Sequence, residues 1–275
     1  MKVSILGNGL TSLALAKLLV NQGIKVDIFS DQKIKKYTKT QTLGISKSNI
    51  DFFNKNILDI KKSLWDINKI EIFSENLKNE KIIKFDNNGK ILFSVIRNFD
   101  LYHQLYSNLN KNKLINFKKK INYQNLIKRN YKLIFNCDHQ NLISKKFFFK
   151  KINKNYDSFA YVTIIKHKSL FQNNIASQIF TKRGPLAFLP ISPTETSIVY
   201  SVTGKKDINL DNLIKKYNKK YKISKIYKSI SFEIKSSSLR SYCNGNIIAF
   251  GDLLHKLHPL AGQGFNMTIR DMKKI

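Results

Sequence analysis

The chain has 275 residues, 42% of them hydrophobic and 24% charged, enough for one large or two modest domains and too apolar for a disordered tail. Its 49 Lys+Arg against 18 Asp+Glu give a formal net charge of +31, yet only Arg97, Arg129, Arg183, Arg240 and Arg270 supply the guanidinium fork that base-reading surfaces favour. The lysines are spread along the chain rather than gathered in one arm, so the charge reads as a solvated surface with an affinity for anionic membrane, and no nucleic-acid partner is expected.

Cys137 and Cys243 lie far apart without CxxC spacing, which gives neither a disulfide framework nor a zinc signature and points to a reducing compartment. No apolar run reaches the ~18 residues of a membrane span. The opening MKVSILGNGLTSLALAK, with Ala14-Leu15-Ala16, imitates a secretory signal and its cleavage site, but the GNG break argues against that reading. Lys2 to Leu6 predicts a strand ending at Gly7, Leu10 to Val20 a helix, and Ile24 to Phe29 a second strand after Gly23, a fitting C-cap. This is a β-turn-α-turn-β unit of about 30 residues. Gly7 and Gly9 take the first two positions of G-x-G-x-x-G, Leu10 and Thr11 open the helix, and Ser12 stands at the third glycine position. Missing Cβ atoms at such a turn let backbone N–H groups and a helix N-terminus approach a pyrophosphate. The carboxylate expected on the ribose falls by count at Ser30, so Asp31, next in line, is the substitute candidate. On its own the motif reads as a dinucleotide cradle or a structural glycine turn, and does not separate FAD from NAD.

Further along, Ile70 to Phe93 alternates around Asn87-Asn88-Gly89, a hairpin signal, and Asp157 to Val202 holds strand-like runs broken by GP and SP turns. KKFFFKK at 145–151 invites a base-stacking reading, but one short basic-aromatic cluster is better explained by packing. Asn246 to Phe250 predicts a buried strand, after which Gly251-Asp252 opens GDLLHKLHPLAGQGFNMTIRD ahead of a helical MTIRDMKKI. Asp252, His255 and His258, three residues apart, could be read as metal ligands on one helical face, but Pro259 interrupts that face and no further ligand cluster lies nearby, so no metal is expected.

This tail resembles the GD-x-x-H-x-x-HPxAGQGxN segment of the FAD-dependent aromatic hydroxylases and, within these flavoprotein monooxygenases, of the ubiquinone-biosynthesis hydroxylase family. Ala176 to Pro190 (ASQIFTKRGPLAFLP) resembles the stretch of that family's substrate domain containing GPLA-x-LP. With the opening glycines, three landmarks in the family's order span nearly the whole chain. The resemblance implies an α/β fold: a discontinuous Rossmann-like FAD-binding domain (1–66, 97–150 and 238–275) with an inserted mixed β-sheet substrate domain (67–96 and 151–237), para-hydroxybenzoate-hydroxylase-like. It implies that Asp252 binds the flavin ribityl chain, a helix N-cap being its other use. Pro259, Gly262, Gln263, Gly264, Phe265 and Asn266 match the loop along the isoalloxazine ring, where the positive end of the following helix would stabilise negative charge on the reduced ring. His255 and His258 are expected to be structural members of this loop. Lys132 to Asp138 resembles a strand ending in Asp-Gly that serves FAD and NAD(P)H, with His139 in place of the glycine, and Gln41 falls where an FAD-contacting arginine is common.

The reaction implied by the resemblance is hydroxylation of the aromatic ring of a polyprenylated phenol in ubiquinone biosynthesis: NAD(P)H reduces FAD, and dioxygen gives a C4a-hydroperoxide that delivers one oxygen atom. Such an oxidoreductase is expected in the cytoplasm, with peripheral contact to the inner face of an anionic membrane or to a ubiquinone-biosynthesis complex. The alternatives are an FAD-binding oxidoreductase of the same fold without hydroxylase activity, and an inactive fragment. The chain stops at Ile275, within a helix that the family continues; the expectation is a chain lacking the C-terminal part that binds flavin poorly.

Overall fold

The computed structural model describes residues 1–30, 37–77, 80–119, 126, 131–204, 208–256 and 263–275. In chain order its strands are β1 (Lys2–Leu6), β2 (Lys25–Phe29), β3 (Thr42–Ser46), β4 (Trp65–Ile67), β5 (Lys69–Ser74), β6 (Glu80–Asp86), β7 (Phe93–Arg97), β8 (Ile115–Lys118) and β9 (Leu133–Asn136). They continue with β10 (Lys151–His167), β11 (Ile175–Thr181), β12 (Gly184–Pro190), β13 (Glu195–Thr203), β14 (Ile223–Ile226), β15 (Ile230–Leu239), β16 (Cys243–Asn244), β17 (Ile247–Ala249) and β18 (His255–Lys256). The helices are α1 (Leu10–Asn21), α2 (Lys47–Asn56), α3 (Asn98–Asn110), α4 (Leu142–Phe147), α5 (Leu210–Tyr217) and α6 (Gln263–Met272).

β1 and β2 are buried beyond their first residue, as parallel strands covered on both faces must be. α1 joins them and ends where the Gly23 amide donates to Val20 O at 3.0 Å and the Ile24 amide to Leu19 O at 3.1 Å, the paired bonds of a glycine-terminated helix. The first sheet runs β16-β17-β9-β1-β2-β8 and is parallel except for β16. On one face Val3, Ile5, Val26 and Ile28 pack with α1, α3 and α6; on the other Leu6, Phe29, Tyr131 and Ile134 pack with Ile143 and Phe148. Phe148 thus explains part of the basic-aromatic run at 145–151 as packing, while Phe149 beside it is exposed.

Inside the second core lies Asp27, fully buried on β2. It ion-pairs with Lys2 at 3.0 Å and Lys118 at 2.6 Å, accepts from Asn116 at 3.1 Å, and takes the Tyr131 hydroxyl. Burial pushes its carboxyl up, but hydrogen bonds from Lys118, Tyr131, Lys2 and Asn116 outweigh it and hold the pKa at about 2.

The second sheet has nine strands in the order β18-β15-β10-β13-β12-β11-β5-β6, with β14 also on β10. It is antiparallel except for β11 on β5, a mixed sheet. One face packs on α5 through Phe188, Ile198 and Tyr200. The other carries Ala176 and Leu189 against Ile67 and Val95 of a small third sheet, β3-β7-β4. The hairpin expected around Asn87-Asn88-Gly89 is corrected here. The segment makes a tight turn, with Lys90 N–H on Asn87 O at 2.9 Å and positive φ at Asn88 (48°) and Gly89 (75°). The strands on either side nevertheless join different sheets, β6 pairing with β5 and β7 with β3 and β4. The tail also differs: α6 starts at Gln263, so Gly264 and Asn266 lie within the helix rather than before it; His255 sits in a short strand on β15.

Candidate functional site

β1, β2 and β8 step outward to one side of the first sheet, β9 and β17 to the other. Chains leaving the carboxyl ends of β1 and β9 therefore diverge and open a crevice, the place where parallel α/β sheets hold their ligands. Three loops meet there: Gly7 to Gly9 after β1, Cys137 to Gln140 after β9, and Gly251-Asp252 after β17. Two glycines let them touch. At Gly7 (φ +104°) a Cβ would lie 3.3 Å from Asp138 Cβ and equally close to Ser12 Oγ. At Gly251 (φ +64°) it would lie 2.5 Å from Thr11 Cγ2. Ser12, fully buried, thus serves where a third glycine is usual because its small side chain meets Gly7 and the Cys137 thiol without displacing the helix.

The crevice widens into a cleft of ≈ 650 Å³ bounded by both large sheets, within the range of small-molecule and cofactor sites. One wall contains Gly7, Gly9, Leu10, Thr11, Ser12, Asp252, Gln263, Gly264 and Phe265; the other contains Ala160 and Val162 of β10, Val199 of β13 and Phe232 of β15. The β10/β13 pairing points Ala160, Val162 and Val199 to the same face, opposite the α5 side. The Thr42 and Ser197 hydroxyls, 2.9 Å apart, close one end. Among the described residues of the expected site only Asn266 is absent from the cleft wall. Its Oδ1 accepts from Ser46 N–H at 3.0 Å and from Asn49 Nδ2 at 2.9 Å, and its Nδ2 donates to Gly44 O at 2.7 Å, so it ties α6 to β3 and α2. Asp31, Pro259, Gly262 and His258 lie outside the described residues.

Tyr37 and Asn98 enter the site although the sequence did not single them out. The Tyr37 hydroxyl accepts the Leu10 N–H at 3.2 Å, at the positive end of α1, where Gly9 offers no capping side chain. Burial, with Tyr102 and Asp252 nearby, pushes its phenol up to about 12 against the opposing Leu10 bond, so it stays protonated. Asn98, on the cleft wall at the start of α3, carries a buried Oδ1 without a partner among the described residues. Burial, reinforced by the Asp252 and Asp138 carboxylates, pushes the Cys137 thiol up to about 12 despite Ser12, which removes it as a nucleophile. Asp138 N–H bonds to Asn136 Oδ1 at 3.2 Å and its own carboxylate caps Gln140 N–H at 2.9 Å, holding the turn against Gly7. Among the described residues no group of three or more His, Cys, Asp or Glu gathers that could hold a metal ion, and no helix is long and apolar enough to cross a membrane.

No family model matches the chain. Among solved structures, p-nitrophenol 4-monooxygenase PnpA from Pseudomonas putida DLL-E4 superposes with a TM-score of 0.79 at 12% identity, over 98% of this chain and 77% of that one. CtdE in complex with FAD and a substrate gives 0.72 at 14% identity, over 99% and 79%. The fold is that of the flavoprotein hydroxylases. In sequence, the ubiquinone biosynthesis monooxygenase COQ6 of Danio rerio is 23% identical over 185 residues, 51% of this chain and 38% of that protein. The chain thus aligns with well under half the length of that curated relative. In this chain the crevice of the first sheet opens onto the apolar face of the second. A dinucleotide fits the polar groups on the crevice side: the N-terminus of α1, the Tyr37 and Thr42 hydroxyls, the Asp252 carboxylate and the Asn98 Oδ1 acceptor.

Proposed function

We propose that the chain binds FAD in the crevice and hydroxylates the ring of a polyprenylated phenol, as a ubiquinone-biosynthesis monooxygenase using NAD(P)H and dioxygen. The observation that carries this reading is a cleft with two unlike walls, a polar one made of the three loops and an apolar one made of β10, β13 and β15. Flavin would supply the activation of dioxygen and NAD(P)H the electrons; the chain's residues bind and orient the reacting groups.

The N-terminus of α1 would face the pyrophosphate, with the protonated Tyr37 hydroxyl held beside it by the Leu10 N–H. Asp252 would accept from ribityl hydroxyls, and its Oδ1 lies 3.8 Å from where a Cβ on Gly264 would be, so the two loops share one surface. Gln263 to Phe265 begin α6, whose positive end faces the cleft and favours negative charge on a reduced ring. The apolar wall seats the phenol ring and excludes water from the reacting centre. A lipid-tailed substrate and the net charge of +31 together support peripheral contact with an anionic membrane.

The test begins with FAD titration of the purified chain, followed by absorbance and by quenching of flavin emission, with Asp252→Ala in parallel. Saturable binding that Asp252→Ala weakens about tenfold or more is expected, as befits loss of a charge-assisted hydrogen bond. NAD(P)H-dependent oxygen uptake that yields a hydroxylated prenylphenol completes the case. Flavin binding with NAD(P)H oxidation but no hydroxylated product would leave an oxidoreductase of the same fold. No flavin binding would overturn the reading.

A further inference from the structure

On the face of the second sheet turned away from the cleft lies a separate cavity of ≈ 180 Å³. Its floor comes from alternate residues of β5, β11 and β12: Phe73 stands beside Ile179, and Phe188 one pair along. Tyr217, at the end of α5, and the segment that follows it complete the wall. Phe188 points to the opposite side of the sheet from Val199, since Val199 pairs with its neighbour Ala187. The sheet itself therefore separates the two cavities, and nothing in the flavin reading uses this one.

Its lining is aromatic and aliphatic, but its rim is cationic. Glu71, the rim carboxylate, is already engaged by Lys81 at 2.7 Å. Lys220 is exposed as a residue, yet its ammonium turns inward, donating to Asn173 Oδ1 at 3.2 Å and lying 5.1 Å from the centre of the Tyr221 ring. No carboxylate of the described residues ion-pairs with it. Loss of hydration lowers its pKa despite the opposing charge of Glu71, so an anion placed at the rim would recover what burial removes. An apolar cavity of about 150 Å³ is enough to take a benzene ring. Size, lining and charge together specify one class of ligand.

We propose that this cavity binds a small aromatic monocarboxylate, its ring against Phe73, Phe188 and Tyr217 and its carboxylate on Lys220. A reporter is built in. Trp65, the chain's single tryptophan, donates its indole N–H to the backbone carbonyl of Asn173 at 2.6 Å, and the side chain of that same Asn173 receives Lys220 and the Tyr221 hydroxyl, the latter at 3.1 Å. A carboxylate that draws Lys220 away from Asn173 perturbs the environment of Trp65.

The experiment titrates the full chain with 4-fluorobenzoate and, separately, with 4-fluorobenzamide, following both Trp65 emission and ¹⁹F line width. It is repeated with Lys220→Met, which removes the charge, and with Ser177→Leu, which fills the floor between β5 and β12; melting curves verify that each variant is folded. Saturable acid binding is expected, with the amide about tenfold weaker, consistent with one charged hydrogen bond, and with acid binding lost in both variants. No saturation, equal affinity for acid and amide, or acid binding that survives either variant, as it would if the probe sat in the flavin-side cleft, overturns the proposal.

Discussion

Gly251 shows how little room the crevice leaves. An alanine there would adopt an unfavourable positive φ and press its methyl against Thr11 Cγ2, so Gly251→Ala should cost about 2–3 kcal/mol. Thr11→Ser removes Cγ2 but not the backbone strain. The double variant Gly251→Ala/Thr11→Ser should therefore recover about 1 kcal/mol relative to simple addition, a coupling that a double-mutant cycle from urea melts would read directly; strict additivity would mean that the β17 loop and α1 do not touch as described. Asp27 makes a residue-scale prediction of another kind. Its folded pKa of about 2 lies below the ordinary 3.8, so its contribution is fully present above the unfolded value and is lost as pH falls from about 4 toward 2. Asp27→Asn should lower stability at pH 7 by about 2 kcal/mol, a moderate loss because Lys2 and Lys118, 46% and 32% exposed, can regain water. The gap between the wild-type and variant denaturation midpoints should close as pH is taken down to 2. A gap that stays constant would remove the carboxylate's charge as its cause.

Elements inherit these constraints, and α6 is the instructive case. The resemblance puts Asn266 in the cofactor loop, and its side-chain amide meets Gly44 O, Ser46 N–H and the Nδ2 of Asn49, itself fully buried. The position matters because it anchors the helix that carries Gln263, Gly264 and Phe265 to the cleft. Asn266→Ala should cost about 2–3 kcal/mol by leaving several groups unpaired. Asn266→Asp, which can accept from Ser46 and Asn49 but cannot donate to Gly44 O, should fall between it and the wild type. Hydrogen exchange at the Ser46 amide should speed up in the alanine variant and change least in the aspartate one. The same element explains what was legible in the sequence and what was not. β1, α1, β2 and the Gly23 stop follow from signals within a few residues of one another, and they appear as read. The Asn87-Asn88-Gly89 turn was equally local, but which strands it joins depends on partners far along the chain, and β6 and β7 found different ones. Alternation in β10 and β13 announces two faces without saying which meets the crevice, so Ala160, Val162 and Val199 could not be named in advance. Tyr37 lacked any motif at all: only the folded chain brings its hydroxyl to the start of α1.

For the whole molecule, the small third sheet is tied to the second by apolar packing and by a few polar bridges: Thr42 to Ser197, the Arg97–Glu195 ion pair and Trp65 to Asn173. Around the molecule the charge is lopsided. With 49 basic and 18 acidic residues, most lysines have no carboxylate to pair with even if every acid takes one, so long-range repulsion should outweigh the attraction in surface pairs such as Lys47–Asp51, both partners being largely exposed. The Debye length shrinks from about 30 Å at 0.01 M salt to about 8 Å at 0.15 M, which silences repulsion between distant lysines while sparing the buried contacts of Asp27. Raising NaCl over that range should therefore stabilise the chain by about 1 kcal/mol, or about 2–4 °C in the melting midpoint for a protein of this size. Added salt acting through preferential exclusion would do the same only at much higher concentration, and the steep part of the response should accordingly lie below 0.15 M. A midpoint that falls with salt in this range would mean that attractive pairs dominate the surface field and that the excess lysines sit where they do not feel one another.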